Sequence, residues 1–296
     1  MSLSAHYLLI LLALFIEFVV TSAAPWRTRR WSSDWLAFAQ RLFASMGWWR
    51  GWPALAVLIA VPVAAVALVQ TLLGDLSVLL AQAFALGVLL LTLGPEDLAG
   101  EVAAHQRMLA AEHASEAAAS MPAYLRHALP VTLGPLRGDP EFDANRAEVA
   151  QIALAAEHAW FQPLFWFLLL GAPGVVLYRL LANLRRSHRE EDGLDGPLTT
   201  LLELLECVPA RLSVLTFGVA GTLVPVLEEI RAVGLTRWRA SSSIVARGAL
   251  AATDHGRIRE VISGDARVYR VNQMHGLMRR ALVAWVIVIA GVAVGL

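Results

Sequence analysis

Long stretches of apolar side chains without a charge constrain this chain more than any other feature. Residues 53–73, 78–93 and 281–296 contain no charged side chain at all. Each approaches or reaches the ~20 residues that a helix needs to cross a hydrocarbon core. In lipid a helix satisfies its own backbone, which no isolated strand or loop can do. Residues 5–24 form a further run, broken only by Glu17. That run has no basic residues ahead of it and ends at Pro25, a poor match to a cleaved signal sequence. It is read as a retained transmembrane helix. Residues 161–184 and 198–227 are apolar but interrupted, the first by Gly171-Ala172-Pro173-Gly174 and the second by Pro209-Ala210-Arg211. The fold expected is all-α, a polytopic integral membrane protein forming a single membrane domain over residues 1–296. It would have about four plain transmembrane helices, two Pro/Gly-interrupted membrane segments, and cytoplasmic and interfacial helices. Composition agrees, with 57% apolar and 16% charged residues against ~45–50% and ~25% in soluble domains.

The charges sum to zero, 24 basic against 24 acidic, so nothing argues for a nucleic-acid partner. Every basic residue is arginine and lysine is absent. A Walker-type phosphate loop, Schiff-base chemistry and a Ser–Lys dyad all need a lysine and are excluded. The single cysteine, Cys207, excludes an intrachain disulfide and a cysteine-based zinc site. Hydrolase, zincin and dinucleotide signatures are also missing.

Arginine placement sets orientation through the positive-inside rule. Arg27, Arg29, Arg30, Arg41 and Arg50 lie between the first two runs, and ten more arginines lie in 231–280. The turn at Gly74–Ser77 has none. The arginine-rich segment 228–280 and the loop after the first run are expected to be cytoplasmic, with the N-terminus outside. Within 25–52, Trp31, Trp35, Phe38 and Leu42 fall on one helical stripe. That pattern predicts a helix lying in the headgroup region, with membrane lipid as its partner. Residues 95–159 read as a cytoplasmic helical segment. Asp97, Glu101, His105, Glu112 and Glu116 share one face of it. A solvated face is the reading taken for these five, and no metal and no cofactor are assigned.

The polar groups inside the apolar runs are the candidate site. Arg211 stands beside Pro209, and a buried charge in lipid calls for a partner, of which Glu206 is nearest. Glu17 makes the same demand in the first run. His158 precedes Trp160, Phe161 and Pro163 at the entry to the first interrupted run.

At those interrupted runs the residues become familiar. The stretch from Phe161 through Pro163, Phe165, Trp166 and Gly171-Ala172-Pro173-Gly174 to Tyr178 and Arg179 resembles one shared by two related membrane families. These are the adenosylcobinamide-phosphate synthases of cobalamin biosynthesis (CobD/CbiB) and the AmpE family. Glu206 to Leu212, with Val208-Pro209-Ala210-Arg211-Leu212, looks like the signature that follows in both. The strongest part of the resemblance spans residues 145–215. Where the synthase carries acids and amides, this sequence has Ala150, Leu154, Ala155 and His158, and later Leu202 and Glu203. These departures, with Glu17, Gly94-Pro95-Glu96-Asp97-Leu98 and Glu206, are similar to AmpE. The resemblance thus implies an inner-membrane regulatory or sensor protein linked to β-lactamase induction and peptidoglycan-recycling signalling, leaning away from catalysis. Arg211, Glu206, Arg179, Asn183 and His158 would bind a small anionic or cell-wall-derived ligand, and another inner-membrane protein is a second partner to expect. The alternative is a divergent CobD/CbiB-like synthase that forms an amide bond.

Overall fold

The computed structural model describes residues 3–19, 30–43, 51–93, 107, 149–187, 194–233, 241–253 and 265–295. All but short joints among them are helical. In chain order the helices are α1 (Leu3–Val19), α2 (Arg30–Phe43), α3 (Gly51–Leu76), α4 (Val78–Thr92) and α5 (149–156). A π turn at Glu157–Phe161 leads from α5 into α6 (Gln162–Ser187). Then come α7 (Asp195–Ala220), α8 (Leu223–Val233), α9 (Ser241–Thr253) and α10 (Asp265–Gly295). Three helical stretches are long and apolar enough to cross a membrane, Gly51–Leu76, Val149–Arg185 and Val271–Gly291. Leu3–Glu17 and Val78–Thr92 are shorter apolar helices. The chain is a membrane protein. Its contacts divide it into two compact units, the first Met1–Pro95, Gln162–Leu205 and Ala290–Leu296, the second Glu96–Phe161 and Glu206–Ile289.

In the first unit α6 is the central helix, packed against α1, α2, α3 and α4. Helix α3 lies at the other extreme. Most of its length is uncovered, and Val61, Leu68, Val69, Leu72 and Leu76 are exposed. An apolar helix bare on most sides has lipid, not water, as its natural solvent. One core cluster joins Leu36 and Ala39 of α2, Ala54, Leu55 and Leu58 of α3, Tyr178, Leu181 and Leu184 of α6, and Leu198 and Leu202 of α7.

Pro62 sits inside α3. Proline has no N–H, so the carbonyl four residues earlier, Leu58 O, loses its helical donor. The Trp35 indole N–H of α2 donates to that carbonyl at 2.9 Å. Helix α2 is therefore attached to α3 at the one carbonyl that the proline sets free. Of the expected stripe, Phe38 and Leu42 are exposed, while Leu36 and Ala39, outside it, face the core. Trp48 and Trp49 lie outside the described residues, as do 95–106, 108–148 and the acidic face proposed on them.

The structure moves two boundaries. The first interrupted run was expected to begin at 161, but among the described residues 149–160 already belong to the same apolar helical stretch, since α5 is buried and almost wholly apolar. The polar Glu157 and His158 masked that continuity in the sequence. In the second run Pro209 does not interrupt the helix; α7 runs through it to Ala220 and the break falls at Gly221-Thr222. A single missing N–H leaves enough of the helical ladder to carry the turn. At Gly221 a side chain is impossible, because a Cβ would lie 2.6 Å from Ala252 O.

In the second unit α8 packs on α9, and Arg247 bridges to Glu229 at 2.6 Å. A Cβ at Gly248 would lie 2.4 Å from Val214 Cγ1, so α9 crosses α7 at close range there. Phe161 stacks edge-on to Phe217 with centroids 5.8 Å apart, and its centroid is 6.1 Å from that of Trp285.

Trp35→Phe should lower the unfolding free energy in detergent by about 1–3 kcal/mol, the penalty of an unsatisfied buried acceptor. In a Pro62→Ala background the restored N–H of residue 62 bonds Leu58 O, and the same substitution should cost little. Equal losses in both backgrounds would disprove the pairing.

Candidate functional site

Two breaks in regular helix govern where the polar side chains go. The first is the π turn Glu157–Phe161. Pro163 follows it and cannot donate to Ala159 O, while its ring crowds that carbonyl. A wider turn relieves both, and such turns recur at functional sites. The turn buries Glu157 and His158 side by side, at 2% and 5% exposure. His158 Nδ1 faces Glu206 Oε1 of α7 at 3.5 Å. That distance is within ion-pair range and longer than a good N–H···O bond. Glu206 is 3% exposed. A carboxylate facing Nδ1 favours the tautomer that carries its proton there, which leaves Nε2 as an acceptor or base. Gln151 and Ser213 lie seven residues, two helical turns, from His158 and Glu206 and so on the same helix faces. Gln151 Oε1 and Ser213 Oγ are buried without a hydrogen-bond partner. The second unit thus carries a buried polar stripe with an acid–imidazole pair in it.

Arg211 was expected to answer to Glu206. The structure turns its guanidinium back along its own helix, where Nη1 donates to Cys207 O at 2.6 Å and lies 3.1 Å from Cys207 Sγ. Glu206 faces His158. Arg211 is only half-buried, so a carbonyl in the turn that Pro209 disturbs is a sufficient acceptor.

The second break is at Gly171 in α6, within the first unit. Its φ of 68° and ψ of −150° leave the helical region, a backbone that only glycine adopts readily. Pro173 follows and removes a further donor. Near this break the His6 ring of α1 lies against Leu168 O, with Nδ1 3.0 Å from it. A carbonyl can only accept, so Nδ1 carries the proton. The ring fills the space that a Gly171 side chain would need, since a Cβ there would be 3.0 Å from His6 Nε2. Gly174 is equally constrained, with a Cβ only 2.5 Å from Trp166 O. Both glycines of the Gly-Ala-Pro-Gly motif thus have a steric reason.

Arg179 and Asn183, one turn apart on α6, are buried in the first unit. Arg179 Nε donates to Thr92 O at 2.5 Å, at the end of α4. The last carbonyls of a helix lack internal donors and carry partial negative charge, so a guanidinium there caps and neutralises the end. Thr92 Oγ1 adds bonds to Val88 O and Leu89 O. Glu17 is half-buried near the end of α1. The candidates divide accordingly: Arg179, Asn183 and Glu17 in the first unit, His158, Glu206 and Arg211 in the second. Sequence reasoning passed over His6, Thr92 and Glu157. His6 and Glu157 carried a signal, a polar side chain in or beside an apolar run. Thr92 carried none. Among the described residues no group of three His, Cys, Asp or Glu side chains is placed to hold a metal.

Breaking the buried pair from one side should be worse than removing it. Glu206→Leu should cost about 3–5 kcal/mol, and adding His158→Leu should restore part of that loss. Thermal or denaturant unfolding in detergent checks this, and additive losses would show that the two side chains do not interact.

Comparison with known proteins gives a partial relationship. No family model matches the chain, and no solved structure does. The cobalamin biosynthesis protein CobD of Stutzerimonas stutzeri is 38% identical over 82 residues, 26% of this chain and 26% of that protein. CobD of Chromobacterium violaceum is 36% identical over 85 residues, 27% of each chain. The matched stretch spans about a quarter of the length of these curated relatives. Of the two resemblances drawn from the motifs, it is the one to CobD that finds relatives.

Proposed function

We propose that this chain is an inner-membrane protein of the CobD kind, with a ligand centre built around His158 and Glu206. The observation that carries the proposal is the buried acid–imidazole pair in a chain with local identity to CobD. The relatives favour a divergent synthase of cobalamin biosynthesis, joining an amine to a polar acid. On that reading the amine attacks the carbonyl of an acid activated as an acyl phosphate, and the C–N bond forms as the C–O bond to the departing phosphate breaks. His158 Nε2 takes the proton that the amine loses, and Glu206 holds the imidazole in the right tautomer. The arginine-rich segments face the cytoplasm and the N-terminus lies outside, in keeping with the positive-inside rule.

A second reading is favoured by a specific observation. Ala150, Leu154 and Ala155, which stand where the synthase family has acids and amides, are buried apolar residues at about 1% exposure. A centre with so few polar groups suits binding better than turnover. It fits an AmpE-like regulator that senses a small anionic or cell-wall-derived ligand and is linked to β-lactamase induction, either alone or through another inner-membrane protein. Arg211 remains a proposed ligand residue of this centre on both readings, and Arg179 and Asn183 remain proposed ligand residues within the first unit.

Complementation separates the two. The synthase reading expects this gene to restore growth to a cobinamide-synthase-deficient host on cobalamin-dependent medium. The regulator reading expects no growth there, and altered β-lactamase induction when the gene is deleted from its own host. Both expect Glu206→Gln to abolish function while membrane insertion and yield stay at wild-type level. Full function in that variant would remove the pair from the centre.

A further inference from the structure

A cavity of about 520 Å³ opens within the second unit, where α7 and α9 end beside the first turns of α10. Its size falls among small-molecule pockets, roughly 300–1,000 Å³. Helix α10 supplies one wall with Tyr269, Asn272, Gln273, Gly276 and Arg280. Their spacing of three and four residues puts them on a single helical face. Thr222 and Thr253 supply the other side.

The hydrogen bonds already made define what the cavity has left to offer. The Thr222 hydroxyl donates to Ala251 O and Ala252 O, at 3.1 and 3.2 Å. That of Thr253 donates to Ala249 O and Leu250 O, both at 3.1 Å. With their protons committed to the end of α9, both hydroxyls present lone pairs. Gln273 Nε2 donates to the Tyr269 hydroxyl at 2.5 Å, which leaves the phenol proton for another acceptor. Arg280 is the single formal charge among the described lining residues, which include no carboxylate. A ligand matched to this lining carries an anionic group for Arg280 and hydroxyls for the amides and threonines.

Position adds a constraint. Arg280 lies within the apolar stretch Val271–Gly291, and a charge in such a stretch calls for an anionic partner. We propose that this cavity binds an anionic, hydroxyl-bearing group of the glycerol phosphate class, with the anion on Arg280 and the hydroxyls on Asn272, Gln273 and the two threonines. The same chemistry arrives either as a lipid headgroup or as a free phosphorylated polyol. The site is separate from the His158–Glu206 centre and does not depend on the function assigned to that centre.

Gly276 makes the test clean. A Cβ built there meets nothing within 4 Å, so a side chain added at this lining position starts into open space. Replacing a helical glycine also favours the helix. The experiment measures thermal unfolding of the full chain in a non-ionic detergent with and without glycerol 3-phosphate, and in nanodiscs of phosphatidylglycerol or phosphatidylcholine. Stabilisation by free glycerol 3-phosphate identifies a soluble ligand, and stabilisation by phosphatidylglycerol alone identifies a lipid. In either case Arg280→Gln should weaken the effect about tenfold, the loss of one charge-assisted contact. Gly276→Leu should abolish it while keeping the wild-type unfolding midpoint without the probe. No stabilisation by either probe, or equal stabilisation of wild type and both variants, would overturn the assignment.

Discussion

A backbone carbonyl facing lipid has no water to fall back on, so a donor removed by a proline or a helix break is best replaced by a side chain or by local adjustment of the helix. Three such replacements organise the first unit. Pro62 strips Leu58 O, and the Trp35 indole supplies the missing N–H. Gly171 and Pro173 disturb α6, and the His6 imidazole donates to Leu168 O. Helix α4 stops at Thr92, and the Arg179 guanidinium covers its last carbonyl. Each donor comes from a different helix than its acceptor. The breaks therefore serve as the fixing points that hold α1, α2, α4 and α6 in register. Purely apolar contact between helices in lipid has no hydrophobic driving force, and such hydrogen bonds supply specificity that packing alone lacks.

The same rule separates structural polar groups from those suited to a ligand. Trp35 and His6 each donate to a backbone carbonyl at a helix disturbance, and Arg179 donates through Nε to the carbonyl that ends α4. His158 and Glu206 face one another instead, on helices whose seven-residue neighbours Gln151 and Ser213 bring buried polar atoms with no hydrogen-bond partner. Burying such a pair is weak as a device for stability. Its presence is better explained by what it can hold or deprotonate.

Much of this was legible in the sequence because membrane spans announce themselves by length and lack of charge. Helices α3 and α4 follow their apolar runs closely, whereas α10 begins at Asp265, well before the charge-free run 281–296. Helix α3 continues through Gly74-Asp75 to Leu76, so that the turn falls at Ser77. What failed to show were features that depend on partners distant in sequence. Glu157 and His158 look like the polar edge of a cytoplasmic segment until Glu206, some fifty positions later, is brought against the imidazole. Pro209 looks like an interruption because proline is judged by its own helix, whereas the remaining ladder carries α7 to Gly221. Arg211 drew attention as an unpaired charge, but a guanidinium long enough to reach Cys207 O can use its own helix as acceptor.

The two glycines of the Gly-Ala-Pro-Gly motif show how a family signature can be a packing requirement instead of a catalytic one. Gly171 is fixed by a positive φ and by the His6 ring, and Gly174 by the carbonyl of Trp166. A signature of this kind will persist wherever the scaffold persists, whatever chemistry the scaffold performs. Partial identity to CobD is therefore informative about architecture, while function follows the polar residues that the architecture does not require. On the proposed reading those are Glu157, His158 and Glu206. The buried apolar Ala150, Leu154 and Ala155 on α5 limit how much more chemistry their surroundings can support.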